Sequence, residues 1–326
     1  MMMAAPRQRG ACRAGVEERT QRADKDRDDR SAGDTPLRAA RRSMDHLRGP
    51  IVNSKWDFEK DRSLYPTFAA KFTKLLHGMN THPHYAWGAL QGASLAKAIG
   101  VERVSMLEFG VAGGKGLHAL EKIALRLEEM YGVGIDVYGF DAGSGLPMTL
   151  DYRDLPNLWS PGYYAMDQEK LKGFLKKARL VVGDVKDTVP GFLQSNPAPI
   201  AFVAFDLDFY TSTKAAFRIF DAPEAALMPR IHCYFDDING FTAGEHNGER
   251  LAIHEFNESH EMRKISHTFG LKYFIPEPYA REMWVEMIFM AHMFDHALYS
   301  RNDGLVRGSS SLDPLNTDPA WTRVAR

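Results

Sequence analysis

Two cysteines among 326 residues, Cys12 and Cys233, leave no material for a disulfide framework or a thiolate metal site. No run approaches the ~18 consecutive apolar residues that a membrane span needs. The arginines near the N-terminus are not followed by an apolar h-region, which argues against a secretory signal. Charge of a single sign is missing as well: 41 Lys and Arg face 42 Asp and Glu, a formal net charge of -1. Such a balance gives no general pull towards nucleic acid or anionic lipid. The expectation is a cytoplasmic protein that acts on a small molecule, with neither nucleic acid nor membrane as partner. What is present is 44% hydrophobic and 11% aromatic residues, enough for a sizeable core.

The two ends differ from the middle. Residues 1–43 mix charges of both signs, carry almost no large apolar side chain and show no lasting periodicity. They cannot bury enough apolar area to offset their ordering entropy and read as a disordered tail. Residues 304–326, rich in Ser, Pro and Asp, read as a second tail. A single domain is expected over 44–303.

Within it, apolar runs alternate with helical spacing. Two helices are expected over 64–78 and 84–99. VSMLEF (104–109) then leads into a glycine-rich turn and a helix over 116–132, with Leu117, Leu120, Ile123, Ala124 and Leu127 on one face. Further strands are expected at 135–140, 179–184, 199–208 and 230–237, with helices at 168–178 and 213–220. Continuous apolar strands alternating with helices imply a parallel sheet covered on both faces: an α/β, doubly wound Rossmann-like fold. LKYFI (271–275) and 282–291 have no helix between them and are expected to close the sheet as an antiparallel hairpin.

The five expected strands end in acids: Glu108, Asp141, Asp184, Asp206, and Asp236 with Asp237. In such sheets ligands bind outside the carboxyl ends of the strands. Helix capping accounts for any one acid; five along one rim suggest a site. The glycine turn, Glu108-Phe109-Gly110-Val111-Ala112-Gly113-Gly114, is not a phosphate loop, because Phe109 stands where its first glycine belongs and Gly116 replaces the Ser or Thr. Nor is it G-x-G-x-x-G, because Ala112 replaces the second glycine. It reads E-x-G-x-x-x-G, with an acid before the glycines, which suits a ligand with positive charge beside a ribose.

That motif resembles the first motif of class I S-adenosylmethionine-dependent methyltransferases. Four further segments, in order, resemble the macrocin-type sugar O-methyltransferases: FDAGSGLP (140–147), VVGDVKDTVP (181–190), FDLDFYTSTKAA (205–216) and YFDDING (234–240). The chain departs from that family where Ala142, Gly143 and Ser144 replace S-F-E, and where APEAALMPR replaces the usual P-G-G turn. The resemblance implies that Glu108, Gly110 and Gly114 shape the methionine end of the cofactor pocket. It implies that Asp141 accepts from the ribose hydroxyls and that Asp184 lies near the adenine amine. It further implies that Asp206, Asp236 and Asp237 hold Mg²⁺, a cation suited to clustered oxygen donors. The implied reaction is methyl transfer to a hydroxyl of a sugar or glycosylated metabolite, with Asp206 or His246 accepting the proton. Asp208 ranks behind Asp206, because strand alternation would point it away. Family members associate through N-terminal helices, which implies a homo-oligomer.

Three alternatives stand beside this reading: a catechol-like or other small hydroxyl acceptor, a nicotinamide-dependent oxidoreductase, and a binding protein that kept the fold without catalysis. Among the histidines, His232 is expected to pack in the sheet and His254 to lie on the surface. The cluster His77, His82 and His84 has loop-like rather than metal-ligand spacing. Tyr85 and Trp87 are expected in the core, and Glu249 and Arg250 to order the loop after the fifth strand.

Overall fold

The computed structural model describes residues 66–79, 82–240 and 243–301, with the backbone alone at 66–68. The expected tails at 1–43 and 304–326 lie outside the described residues. Two helices come first, α1 (Pro66–Leu76) and α2 (Pro83–Ile99). Proline at the start of α2 needs no amide partner, and Gly100, at φ 79°, ends it. α2 is buried on most sides, Tyr85 and Trp87 included.

Then come β1 (Arg103–Phe109), α3 (Lys115–Tyr131), β2 (Gly134–Asp141), α4 (Gln168–Phe174), β3 (Arg179–Val182), α5 (Val185–Gln194), β4 (Ile200–Phe205), α6 (Tyr210–Ala216) and β5 (Leu227–Phe235). The stripe expected on α3 is the face it buries. Last are α7 (Gly248–Ser259), β6 (Arg263–His267) and β7 (Ile288–Met293). No helix among the described residues is long and apolar enough to cross a membrane.

The seven strands form one sheet in the order β3-β2-β1-β4-β5-β7-β6. The first five run parallel; β7 is antiparallel to both β5 and β6. The sheet is thus doubly wound and ends in an antiparallel pair, as expected, and the order reverses between β1 and β4. The partners within the last pair differ from expectation. Residues 271–273 form a 3-10 turn, and β6 lies earlier, at 263–267. Gly270 at φ 75° turns the chain into it and Pro276, which has no amide to donate, follows it, so the apolar span between them does not join the sheet.

β4 is buried at every position. The register stacks the last phenylalanines of four strands: Phe140 on Phe109 (4.6 Å between centroids), Phe109 on Phe205 (5.5 Å) and Phe205 on Phe235 (4.8 Å). This row forms the top layer of the core. The residue after Phe in β2, β4 and β5 is an aspartate, so the same register sets Asp141, Asp206 and Asp236 along the rim above it.

Candidate active site

A cleft of about 620 Å³ opens at the point where the strand order reverses. Its floor includes Phe109 and Phe140, and its walls carry Gly110, Asp141, Asp184, Asp206, Asp236 and Asp237. This volume lies within the range of small-molecule sites.

The glycine turn is fixed by Asp141. One carboxylate oxygen accepts from the amides of Val111 and Ala112, both at 2.9 Å, and the other accepts from the Gly143 amide at 2.6 Å. An ionised carboxylate offers about four acceptor positions, so about one is left for a ligand. Gly110 has φ 84°, and a Cβ there would lie 1.7 Å from the Asp206 carbonyl oxygen; no other residue fits. Gly114, at φ 77°, turns the chain into α3 and is not among the residues that line the cleft. Glu108 is 1% exposed beneath the turn. It accepts from the Tyr85 hydroxyl at 2.7 Å, and its other oxygen has no partner. Burial pushes its carboxyl up to about 8. Asp184 lines the cleft and also caps α5, accepting from the Lys186 amide at 3.0 Å, so capping and site are both served.

In the same cleft, one oxygen from each of Asp206, Asp236 and Asp237 lies within 4.8 Å of the others. Tyr234 donates to Asp236 at 2.5 Å. β4 stops at Phe205, so the alternation expected to turn Asp208 away does not operate. The chain turns sharply instead: Asp208 takes φ 44°, and the Phe209 amide donates to the Leu207 carbonyl. Asp208 therefore lines the same cleft, and its amide donates to Asp237 at 2.9 Å. Burial, reinforced by the neighbouring carboxylates, pushes Asp206 up to about 9 and Asp208 up to about 8. Asp237 rises to about 6, again through burial, with the Asp208 amide opposing.

A parallel sheet ordered 3-2-1-4-5, extended by an antiparallel seventh strand inserted between the fifth and the sixth, settles the architecture. This is the class I methyltransferase fold. No protein-family model matches the chain, and no curated protein does. Solved structures resemble it. The calicheamicin methyltransferase CalS11 is 22% identical, with a TM-score of 0.38 over 72% of this chain and 91% of that one. An O-methyltransferase from Bacillus cereus in complex with SAH is 12% identical, with a TM-score of 0.33 over 77% and 97%. The O-methyltransferase TomG from Streptomyces achromogenes, in complex with SAM, is 14% identical, with a TM-score of 0.32 over 73% and 98%. The assignment of the fold rests on the strand order and not on these likenesses.

Within this methyltransferase fold, His246 is exposed in the turn before α7 and is not among the residues that line the cleft. His254 is exposed on α7 beside Glu258. His232 lies in β5, where burial lowers its pKa to about 3. The rings of His82 and His84 lie 5.3 Å apart and pack with Tyr85; His84 also packs at a tilt on Tyr234, 4.3 Å between centroids. Arg250 donates to the Ile238 carbonyl at 2.9 Å and to Glu245 at 3.1 Å.

Sequence reasoning missed three things at the site. Glu249, on α7, is 1% exposed. It accepts from the Asp237 amide at 3.1 Å, and its second oxygen is buried without a partner. Burial and the three aspartates push its carboxyl well above the usual range. Tyr85 carries a polar role along with its packing. Trp159 and Tyr164, from the long β2–α4 connection, form part of the cleft wall. The run of aromatics in 159–164 was the available signal.

Proposed function

We propose that this chain is an S-adenosylmethionine-dependent O-methyltransferase that methylates a hydroxyl of a sugar or glycosylated metabolite with the help of Mg²⁺. One observation carries the reading: a glycine turn anchored by Asp141 and a three-aspartate cluster line one cleft.

The residues fit both groups. Gly110 lets the backbone pass close to a ligand, and Asp141 keeps an acceptor position for a ribose hydroxyl. The donors of the aspartate cluster are all carboxylate oxygens, the chemistry Mg²⁺ selects. Asp206, Asp208, Asp236, Asp237 and Glu249 repel one another when ionised, and the unpartnered oxygen of Glu249 lies buried behind Asp237. A divalent cation relieves that repulsion. When bound, S-adenosylmethionine supplies an electrophilic methyl on sulfur, and Mg²⁺ acidifies and holds an acceptor hydroxyl. The chain's own part is to place the acceptor between Asp206 and Asp208 and to take its proton there. We assign the proton to these carboxyls ahead of His246, because they line the cleft and His246 does not.

The sugar, rather than a catechol-like ring, is supported by the four segments that resemble macrocin-type enzymes. The test is labelled methyl transfer from S-adenosylmethionine across a panel of sugar nucleotides, glycosides and catechols. Transfer to a sugar hydroxyl, lost in EDTA and restored by Mg²⁺, supports the proposal. Transfer to catechols alone moves the acceptor class. Binding of S-adenosylhomocysteine without turnover of any acceptor favours a binding protein.

A further inference from the structure

The connection from β2 to α4, residues 142–167, does more than join two elements. Its two arms are zipped together: the Leu146 amide donates to the Tyr163 carbonyl at 2.9 Å, and the Gly162 amide to the Leu146 carbonyl at 2.8 Å. Gly145, at φ 83°, permits the closeness, since a Cβ there would lie 2.5 Å from the Tyr163 carbonyl oxygen. The connection starts at the end of β2, and its tip is fastened to α6, which follows β4. In the sheet, β1 lies between those two strands. The segment therefore crosses the place where strand order reverses, as a strap over the cleft, and Leu146, Pro147, Trp159 and Tyr164 face that cleft from it.

The fastening is one carboxylate. Asp154 is 1% exposed. It accepts from the Thr211 amide at 2.8 Å, the Thr211 hydroxyl at 3.0 Å and, within the strap, the Thr149 hydroxyl at 2.8 Å. Beside it, the Arg153 guanidinium lies 4.4 Å from the Tyr210 ring centroid. The fastened strap is not relaxed. Tyr164 is held at φ 64°, a region a bulky residue rarely enters, and the Trp159 indole N–H is buried without a partner. Strain of that kind persists only where surrounding contacts impose it, and the Asp154 contacts are the buried polar ones at the tip.

We infer that Asp154 is a positioning residue: by pinning the strap to Thr211 it clamps the cleft from above and holds Trp159 and Tyr164 against it. The inference rests on the methyltransferase reading for its ligand, while the pin can be tested without one. The probe is S-adenosylhomocysteine, followed by stopped-flow binding to the full chain. Asp154→Asn and Thr211→Val should each raise its dissociation rate about tenfold, the scale of one lost hydrogen bond, with little change in association. The double variant should be no worse than the more affected single, because the two changes act on the same Asp154–Thr211 pairing. Thr211→Ser, which keeps the hydroxyl, should behave as the parent. In ligand-free protein, hydrogen exchange over 142–166 should accelerate in Asp154→Asn. Dissociation rates left unchanged beside a lowered melting temperature would overturn the inference, leaving Asp154 a merely structural group. Association and dissociation rising together, with Kd constant, would also overturn it, making the strap a gate and not a clamp. If the parent fails to bind S-adenosylhomocysteine, the methyltransferase reading falls; unaccelerated exchange would then overturn the pin on its own evidence.

Discussion

Replacing Asp141 by alanine tests how the glycine turn is built. The substitution removes three hydrogen bonds to a carboxylate, at 2.9, 2.9 and 2.6 Å, from the amides of Val111, Ala112 and Gly143. Bonds to charged acceptors contribute roughly 1.5–3 kcal/mol each. Asp141 is half-buried, so water can replace part of what is lost, and the net should be nearer one such bond than three. A ligand that needs the turn in its present shape should lose about 2–3 kcal/mol, or roughly 30- to 150-fold in affinity. Isothermal titration with S-adenosylhomocysteine reads this directly, with circular dichroism confirming a folded chain. Asp141→Asn should fall between, since one amide oxygen can still serve the Val111 and Ala112 amides but its NH₂ group opposes that of Gly143. Affinity in the alanine variant within twofold of the parent would refute the reasoning.

Other consequences are equally open to measurement. Asp206, Asp208 and Asp237 hold their protons up to about pH 9, 8 and 6 in the folded chain, whereas an unfolded chain releases them near pH 4. The folded state then binds more protons between those limits, so metal-free stability should fall as pH rises through them. Mg²⁺ should therefore raise the melting temperature more at pH 8 than at pH 5, and an equal gain at both would contradict the cluster. Tyr85→Phe removes the bonding partner of the buried Glu108 carboxyl and should cost about 1–3 kcal/mol by denaturant unfolding, with no loss below 0.5 kcal/mol expected. Gly110→Ala should abolish S-adenosylhomocysteine binding, because its Cβ would sit 1.7 Å from the Asp206 carbonyl oxygen; retained binding would show that the turn adapts.

The parts of the fold legible in the sequence are those where one local rule sufficed. Apolar runs closing on Phe-Asp recur at 140–141, 205–206 and 235–236, and parallel register then sets the acids side by side. β6 was missed because RKISH is short and mostly polar, half-covered at the sheet edge. α5 was missed because Pro190 lies inside it, and proline removes an amide donor. The turn at Asp208 overrode strand alternation, and only the end of β4 at Phe205 makes that visible. Glu249 lies on α7, a helix not expected in the stretch read as a loop, so its convergence on Asp237 is tertiary information. The strap's pin pairs Asp154 with Thr211, 57 positions away, and no local pattern announces it.

The central claim is that one cleft holds S-adenosylmethionine at its glycine turn independently of a metal at its aspartate cluster. The most direct measurement is calorimetric titration of the chain with S-adenosylhomocysteine and, separately, with NAD⁺, each in EDTA and in Mg²⁺. The account predicts one S-adenosylhomocysteine bound per chain under both conditions and no NAD⁺ bound under either. Binding of NAD⁺ with no binding of S-adenosylhomocysteine would contradict it.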